Sequence, residues 1–409
     1  MTSPSAGPAE LARLLAAAGH LPPRWRRVFA AVDRGRFVPD EVWVRGADGY
    51  VPLSRAREPD EWRRCVYSDM AVITQVEDPP GADPAFTPSS SASMPRVVAA
   101  MLDHLDPRQG HRVLEIGTGT GYNAALLAEF VGDGHVVSVE VDAVLAAHAR
   151  RALEAAGHGS RVVAADGADG WPEGAPYDRL IATCAVHRVP YAWVEQVAPG
   201  GRIVTPWGTG LHNGVLLRLD VREGPGGPEA QGPVVGDSAF MWMRAQAPAR
   251  DVMATVRHSE CAVAGRTRLD PRYPLGDADA AFAVGLMMPG VRSSVGHGPD
   301  GEWTLWLADA ATGSWASVDY VPETAGGAQP SPQHAPDAAS ASRLSPHHAP
   351  AEPGFDVRQS GPRLLWDEVE AAYRRWERAG SPERTRYGLT VAAAGQRVWL
   401  DEPGKPYPA

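Results

Sequence analysis

The 409-residue chain is 44% hydrophobic and carries a formal net charge of −10 at pH 7. That length holds two domains with sizeable cores, and an acidic balance without a basic stripe argues against a nucleic-acid partner. No apolar run is long enough to span a bilayer and the polar, proline-containing start does not read as a signal peptide, so no membrane partner and a cytoplasmic location are expected.

In chain order, a helix is expected from Ala9, with Leu11, Leu14, Leu15 and Ala18 on one stripe and Gly19 ending it. A second helix over 24–32 leads into R-F-V-P at 36–39, and residues 1–85 form an N-terminal helical segment. From 86 to 244 strands alternate with helices: strands at 112–116, 136–140, 162–165, 180–183, 202–205, 215–221 and 240–244, helices at 144–156 and 191–197, and a tight turn at Asn213-Gly214. Such alternation implies an α/β fold with a mainly parallel sheet and helices on both faces. Residues 245–409 read as a smaller α+β accessory domain. It has strands at 281–288, 303–308 and 314–320, a Pro/Ala-rich linker at 322–354, a helix at 363–378 and a hairpin turning at Gly395-Gln396. Its tryptophans, with Trp242, read mostly as a small core and otherwise as an aromatic groove for a peptide. Cys65, Cys184 and Cys261 lie far apart and read as reduced thiols. The histidines are scattered, His347-His348 in the Pro/Ala-rich tract included, and no metal-ligand spacing appears, so no metal site is expected.

The most informative run is R-V-L-E-I-G-T-G-T-G-Y at 112–122. Val113, Leu114 and Ile116 are β-prone, glycines follow at alternate positions, and helical spacing resumes at 124–130; this is the first half of a Rossmann-like nucleotide site. A dinucleotide turn asks for Gly or Ala at its sixth place, where this chain has Tyr122. S-adenosyl-L-methionine carries no phosphate and needs no such packing. Glu115 can meet its ammonium or the water around it, Glu140 at the end of the next strand can accept both ribose hydroxyls, and Asp166-Gly167 can place a carboxylate near the adenine amine. The expected cofactor site is Glu115, Gly117, Thr118, Gly119, Gly121, Tyr122, Asn123, Glu140, Val141, Asp166 and Gly167, with S-adenosyl-L-homocysteine as product.

With these residues in place the chain resembles the protein-L-isoaspartate O-methyltransferases, from about Arg36 to about Arg244. R-F-V-P, then V-Y-S-D at 66–69, S-M-P-R-V-V-A-A-M-L from Ser93, L-E-I-G-T-G-T-G-Y, D-G-A-D-G-W from Asp166 and P-G-G-R-I-V-T-P-W-G from Pro199 follow in the family's order. The resemblance implies a class I methyltransferase fold, with residues 1–85 on the substrate side. Two stretches depart from the family pattern: the serine run 89–91, and T-C-A-V-H-R-V-P after the fourth strand, where a small alanine-rich turn is usual. H-R-V-P-Y-A-W-V-E-Q from His187 and P-W-G-T from Pro206 resemble an extended actinobacterial subgroup that serves ribosomally made peptides, lanthipeptides or graspetides.

A carboxylic acid with a pKa of about 4 is ionised at neutral pH and needs no general base. Methylating it is an in-line displacement, so catalysis rests on holding the partners collinear and dry. Ser93 is the expected catalytic donor. Ser91, Ala92, Ser93 and Met94, with Thr183, Cys184 and His187, are the expected substrate side. A Ser two before Pro at a helix start also reads as an N-cap, and the resemblance favours the acceptor role. Cys184 has no nucleophilic part in methyl transfer, and His187 either meets the peptide or stabilises its loop. Three functions follow: methylation of an Asp in a constrained, cyclised precursor peptide to give succinimide and then isoaspartate; repair of isoaspartyl residues in damaged proteins; or a non-catalytic peptide-binding scaffold. The oligomeric state is left open.

Overall fold

The computed structural model describes residues 7–46, 49–77, 87–247, 252–257, 263–298, 301–320 and 354–407. Helix α1 (Pro8–Ala17) starts at a proline, where a missing N–H costs nothing, and buries Leu11, Ala12 and Leu15. Leu14, expected on the same stripe, is instead 47% exposed. Trp25 precedes α2 (Arg26–Ala31) and stacks on Phe130 with ring centroids 4.2 Å apart, joining one core with Phe29, Tyr122 and Leu126.

Where only helix and loop are expected, the chain forms a four-stranded antiparallel sheet. Its strands are β1 (Glu41–Gly46), β2 (Gly49–Ser54), β3 (Val72–Glu77) and β4 (Thr87–Ala92), in the order β2-β1-β3-β4, with α3 (Pro59–Val66) between β2 and β3. The serine run is therefore an edge strand, where Pro88 is tolerated because an outward position needs no ladder N–H. It feeds through Ser93 into α4 (Pro95–Leu105).

Next come β5 (Val113–Ile116), α5 (Tyr122–Val131), β6 (Val136–Glu140), α6 (Ala143–Ala156), β7 (Arg161–Ala164), β8 (Tyr177–Ala182), α7 (Tyr191–Gln196), β9 (Val197–Gly208), β10 (Asn213–Gly224) and β11 (Gly227–Asp237). β11 was not expected, because G-P-E-A-Q-G-P-V-V-G-D carries little β propensity. Gly232 is needed there, since a Cβ would fall 1.9 Å from the Arg218 carbonyl oxygen. With β11 beside β10, the expected last strand at 240–244 is reduced to a single parallel bridge between Trp242 and Ala185. The β9–β10 turn is made by 209–212, not by Asn213-Gly214.

The chain divides into two compact units, Met1–Trp207 with Gly214–Gln246 and Thr385–Tyr407, and Gly208–Asn213 with Ala247–Arg384 and Pro408–Ala409. The second unit holds α8 (Val252–Arg257), β12 (Val263–Thr267), α9 (Arg272–Gly276), α10 (Ala278–Met287), β13 (Arg292–His297), β14 (Trp303–Asp309), β15 (Ser314–Tyr320), β16 (Phe355–Ser360) and α11 (Leu365–Arg378). Its sheet is antiparallel in the order β12-β16-β15-β14-β13. The run 281–288, expected as a strand, is helical up to Met287 in α10: it is apolar, and the Asp277 carboxylate caps the helix by accepting from the N–H groups of Asp279 and Ala280. Trp315, Trp366 and Trp376 are buried, the core role expected for most of these rings. The expected linker lies outside the described residues except for Gly354, as do Cys261 and His347-His348.

The last strands, β17 (Tyr387–Ala392) and β18 (Gly395–Leu400), return to the first unit, which corrects the expected accessory domain of 245–409. Their turn is at 393–394, and β17 pairs with β11. The Trp399 ring lies over Gly388, where a Cβ would meet it at 2.1 Å. The large sheet is thus nine-stranded, β18-β17-β11-β10-β9-β8-β5-β6-β7, with β9, β8, β5, β6 and β7 parallel. After β7 the chain crosses to the other side of β5, so the order reverses between β5 and β8, where open α/β sheets receive ligands at the strands' C-terminal ends. Among the described residues no helix is long and apolar enough to cross a membrane, and no His/Cys/Asp/Glu group is arranged to hold a metal.

Candidate active site

The glycine turn sits at that reversal point. Gly117, Gly119 and Gly121 have φ of +93°, +53° and +89°, a region that favours glycine. A Cβ on Gly117 would lie 2.8 Å from Thr183 Oγ1 and one on Gly121 3.3 Å from the Ala149 Cβ, whereas one on Gly119 would meet only the Ser91 carbonyl oxygen at 3.8 Å. The outer two glycines therefore admit neighbouring elements, and Gly119 faces open space beside β4. Close helix packing falls on Gly121, so Tyr122 is free to serve the N-terminal core. Its ring is 4% exposed and meets Phe29 edge-on, so it does not line the cofactor site as expected.

Glu115 is a second correction. It is fully buried, its Oε1 accepting from Asn123 Nδ2 at 2.7 Å and its Oε2 from Ser138 Oγ at 2.5 Å. Burial raises its pKa to about 7 against the opposing effect of those bonds, and the Glu140 charge adds to the rise. Thr118 Oγ1 lies 2.6 Å from Ser138 Oγ, so Glu115, Thr118, Asn123 and Ser138 form a network beneath the turn that fixes its shape. Thr118 and Asn123 are buried with it.

Glu140 and Asp166 stand at the ends of β6 and β7. Glu140 accepts from the N–H of Gly119 at 2.9 Å and of Asp142 at 3.1 Å, leaving further lone pairs on both oxygens. Asp166 is exposed and accepts from Ala168 N–H at 2.9 Å. Gly167 is required by close approach, since a Cβ there would overlap Ile116 Cγ2 at 2.4 Å, and Trp193 Nε1 donates to its carbonyl at 2.7 Å. Val141, beyond Glu140, is 46% exposed. Burial, with the charges of Glu140 and Asp166 adding, pushes the Cys184 thiol up to about 12, so it is no nucleophile. Two acids beside a glycine turn repel a phosphate but suit ribose hydroxyls and an adenine amine, which fits S-adenosyl-L-methionine.

Where the acceptor is expected, the Ser93 hydroxyl caps nothing: the N-cap of α4 is Met94, with extended backbone and no side-chain cap. Ala92 is buried, and Ser91, Ser93 and Met94 are half-buried. The turn is held by Arg34, which is fully buried and donates to the carbonyls of Val66 (2.7 Å), Ser68 (3.4 Å), Met70 (3.1 Å), Ala92 (3.0 Å) and Ser93 (2.9 Å). Burial lowers its pKa to about 10. In V-Y-S-D the acid and the tyrosine act apart: Tyr67 O–H donates to Asp33, and Asp69 accepts from Arg96 N–H at 2.9 Å at the start of α4. After β8, Thr183 donates to the Gly117 carbonyl, and His187 sits exposed with its ring 6.1 Å from that of Trp242. The His187 pKa lies below the ordinary imidazole value, burial against its surroundings first and the Arg188 charge after it, offset in part by Gln246.

A family profile described as Protein-L-isoaspartate(D-aspartate) O-methyltransferase (PCMT) matches residues 57–225. Protein-L-isoaspartate O-methyltransferase of Hyperthermus butylicus is 35% identical over 216 residues, covering 45% of this chain and 85% of the relative. The chain belongs to the protein-L-isoaspartate O-methyltransferase family. Protein-L-isoaspartate O-methyltransferase 1 of Rhodopseudomonas palustris is 34% identical over 241 residues, 56% of this chain and 92% of its own. A solved protein-L-isoaspartate O-methyltransferase aligns over 96% of this chain and 99% of its own at 19% identity, with a TM-score of 0.49. As a member of the family the chain is a methyltransferase that uses S-adenosyl-L-methionine. The profile contains the glycine turn, Glu140, Asp166 and Ser93, and none of 247–384.

Within this family frame, the sequence reading missed Ser138 under the turn, Arg34 behind Ser93, and Gln246 and Gln396 behind His187. Ser138 alternates with buried apolar residues in β6, which is a signal for a polar contact inside the sheet. Nothing local marks the others, because their partners are backbone groups of remote segments.

Proposed function

We propose that this enzyme methylates the side-chain carboxylate of an Asp in a constrained, ribosomally made peptide, such as a cyclised lanthipeptide or graspetide precursor, and so directs it to succinimide and isoaspartate. S-adenosyl-L-methionine supplies a methyl on a sulfonium, and its transfer to a carboxylate oxygen leaves S-adenosyl-L-homocysteine. The chain's own contribution is placement: Glu140 and Asp166 for the cofactor, and the Ser93 hydroxyl and turn for the acceptor. In the ester, the following backbone nitrogen attacks the carbonyl, loses its proton and expels methanol. Water then opens the succinimide at either carbonyl.

The observation that carries the reading is the approach of β4 to the glycine turn, the Ser91 carbonyl lying 3.8 Å from where a Gly119 Cβ would stand. It sets the turn that ends in Ser93 beside the cofactor loop. The constrained substrate is favoured by a backbone-fixed loop at 187–189, since two rigid partners lose little conformational entropy on binding. A second reading, repair of isoaspartyl residues in damaged proteins, rests on the activity for which the family is named.

Incubation with methyl donor and either a cyclised Asp precursor or linear isoaspartyl peptides separates them by mass. Gain of a methylene followed by loss of methanol on the cyclised Asp peptide is expected. Efficient methylation of arbitrary linear isoaspartyl peptides, with none on cyclised Asp peptides, overturns the first reading in favour of repair. Methylation of neither overturns both readings of the acceptor.

A further inference from the structure

In the loop that follows β8, the backbone of Ala185, Arg188 and Val189 and the His187 N–H are tied to residues outside those matched by the family profile, while Val186 N–H donates to the Pro206 carbonyl at 3.1 Å within them. Ala185 N–H donates to the Met241 carbonyl at 2.8 Å, and its own carbonyl accepts from Met243 N–H at 2.8 Å. Gln246 Oε1 accepts from the N–H groups of His187 (3.1 Å) and Arg188 (3.0 Å), while its Nε2 donates to the Arg188 carbonyl at 2.7 Å. One residue on, Gln396 repeats the pattern: its Oε1 accepts from Val189 N–H at 3.3 Å and its Nε2 donates to the Val189 carbonyl at 3.0 Å. Trp207 Nε1 donates to the His187 carbonyl at 3.1 Å. Both primary amides thus mimic a neighbouring strand, each offering one donor and one acceptor to one backbone segment.

We infer that Gln396 and Gln246 are positioning residues for the acceptor peptide, and that the C-terminal hairpin is the element through which this chain fixes its substrate-side loop. Gln396 stands in β18 opposite Val391, and β17 is anchored on β11, so the amide is carried by the large sheet itself. With the backbone fixed, His187 and Arg188 project outward as exposed side chains at the end of β8, four and five residues past Thr183, which holds the glycine turn. A loop that replaces an alanine-rich turn with His and Arg gains a defined geometry only if something holds it, and the two glutamines are that support. The inference rests on the reading that this loop faces the peptide.

The test joins amide hydrogen exchange with kinetics on full-length Gln396→Ala and Gln246→Ala. Protection should fall at Val189 in the first and at His187 and Arg188 in the second, a result independent of which peptide is the substrate. Loss of one such hydrogen-bonded pair should lower kcat/KM on the accepted peptide about tenfold, with S-adenosyl-L-methionine affinity within about a factor of two. Gln396→Glu, which keeps the acceptor for Val189 N–H and loses the donor, should fall between wild type and Gln396→Ala. Cofactor affinity falling in step with kcat/KM, kcat/KM unchanged within about a factor of two despite looser exchange, or failure of both Gln396 variants to fold overturns the inference. If instead wild-type enzyme methylates only arbitrary linear isoaspartyl peptides, the constrained-peptide reading fails while the exchange result still judges the clamp.

Discussion

One continuous run, R-V-L-E-I-G-T-G-T-G-Y, shapes most of the glycine turn of the cofactor cradle, whereas the Ser93 turn, which we propose receives the acceptor, is held by a residue fifty-nine positions away in sequence, Arg34. In the cradle, strand, turn and helix follow each other, and Gly117 and Gly121 are fixed by what lies against them. On the proposed acceptor side the end of β4, the Ser93 turn and the 66–70 segment meet on a single guanidinium. The difference teaches where specificity can change: the cradle binds a constant ligand and is locally encoded, while the acceptor side is assembled from parts that can vary one at a time.

The sharpest break of the comparison is Arg34→Met. It leaves five carbonyls without their donor inside the protein, so a stability loss of about 3–5 kcal/mol is expected, read as a lowered midpoint in urea. If stability is unchanged, the acceptor turn does not depend on that remote residue.

How much of this was legible follows from the same contrast. The parallel strands and the glycine turn show a period that switches from strand to helix within a short window, so β5 to β8 could be read directly. β1 to β4 could not: V-W-V-R, Y-V-P-L and a serine run give short, weak alternation, and only mutual pairing makes them strands. Glu115 was misread for another reason. β5 is buried on both faces, and in such a strand alternation does not say which side meets a ligand. The C-terminal hairpin was recognised, but its attachment to β11 is a long-range pairing that no local pattern announces.

Glu115 gives the next prediction. Its folded-state pKa is raised from 4.5 to about 7, so between those values the native state holds a proton the unfolded chain has lost. Stability must then fall as pH rises through that window, and the whole cost is present above it. Glu115→Gln keeps the shape, accepting from Asn123 and donating to Ser138, whose hydroxyl can turn to Thr118. The variant should lack that fall and be more stable than wild type at pH 8 by up to about 3 kcal/mol, with little change at pH 4.5 and little loss of cofactor affinity. Parallel stability curves for the two proteins from pH 4.5 to 8 would remove the buried proton.

Glu140→Ala separates the two acids of the cradle. Glu140 keeps free lone pairs at the end of β6, so its loss should weaken S-adenosyl-L-methionine by about 1.5–3 kcal/mol, the worth of hydrogen bonds to a charged acceptor. Calorimetry on the folded variant reads this directly, and equal losses for Glu115→Gln and Glu140→Ala would erase the distinction between the carboxylate beneath the turn and the one beside it.

Ser93→Ala is the smallest expected change and bears on the acceptor side alone. A serine that caps a helix and a serine that meets a substrate carboxylate respond differently to losing the hydroxyl. The first loses stability, about 1 kcal/mol for a cap; the second loses turnover. Here α4 is capped from Met94 without a side chain, and the Ser93 backbone is already held by Arg34, so the fold has no evident use for the hydroxyl. Removing it should leave stability within about 0.5 kcal/mol and cofactor affinity unchanged. One hydrogen bond to the acceptor carboxylate, better made as the methyl arrives than before, is worth about tenfold in kcat. Turnover within about a factor of two of wild type on the true substrate, or a Tm lowered with kcat intact, would move the Ser93 hydroxyl out of the active site and leave only the turn's backbone N–H groups to receive the carboxylate.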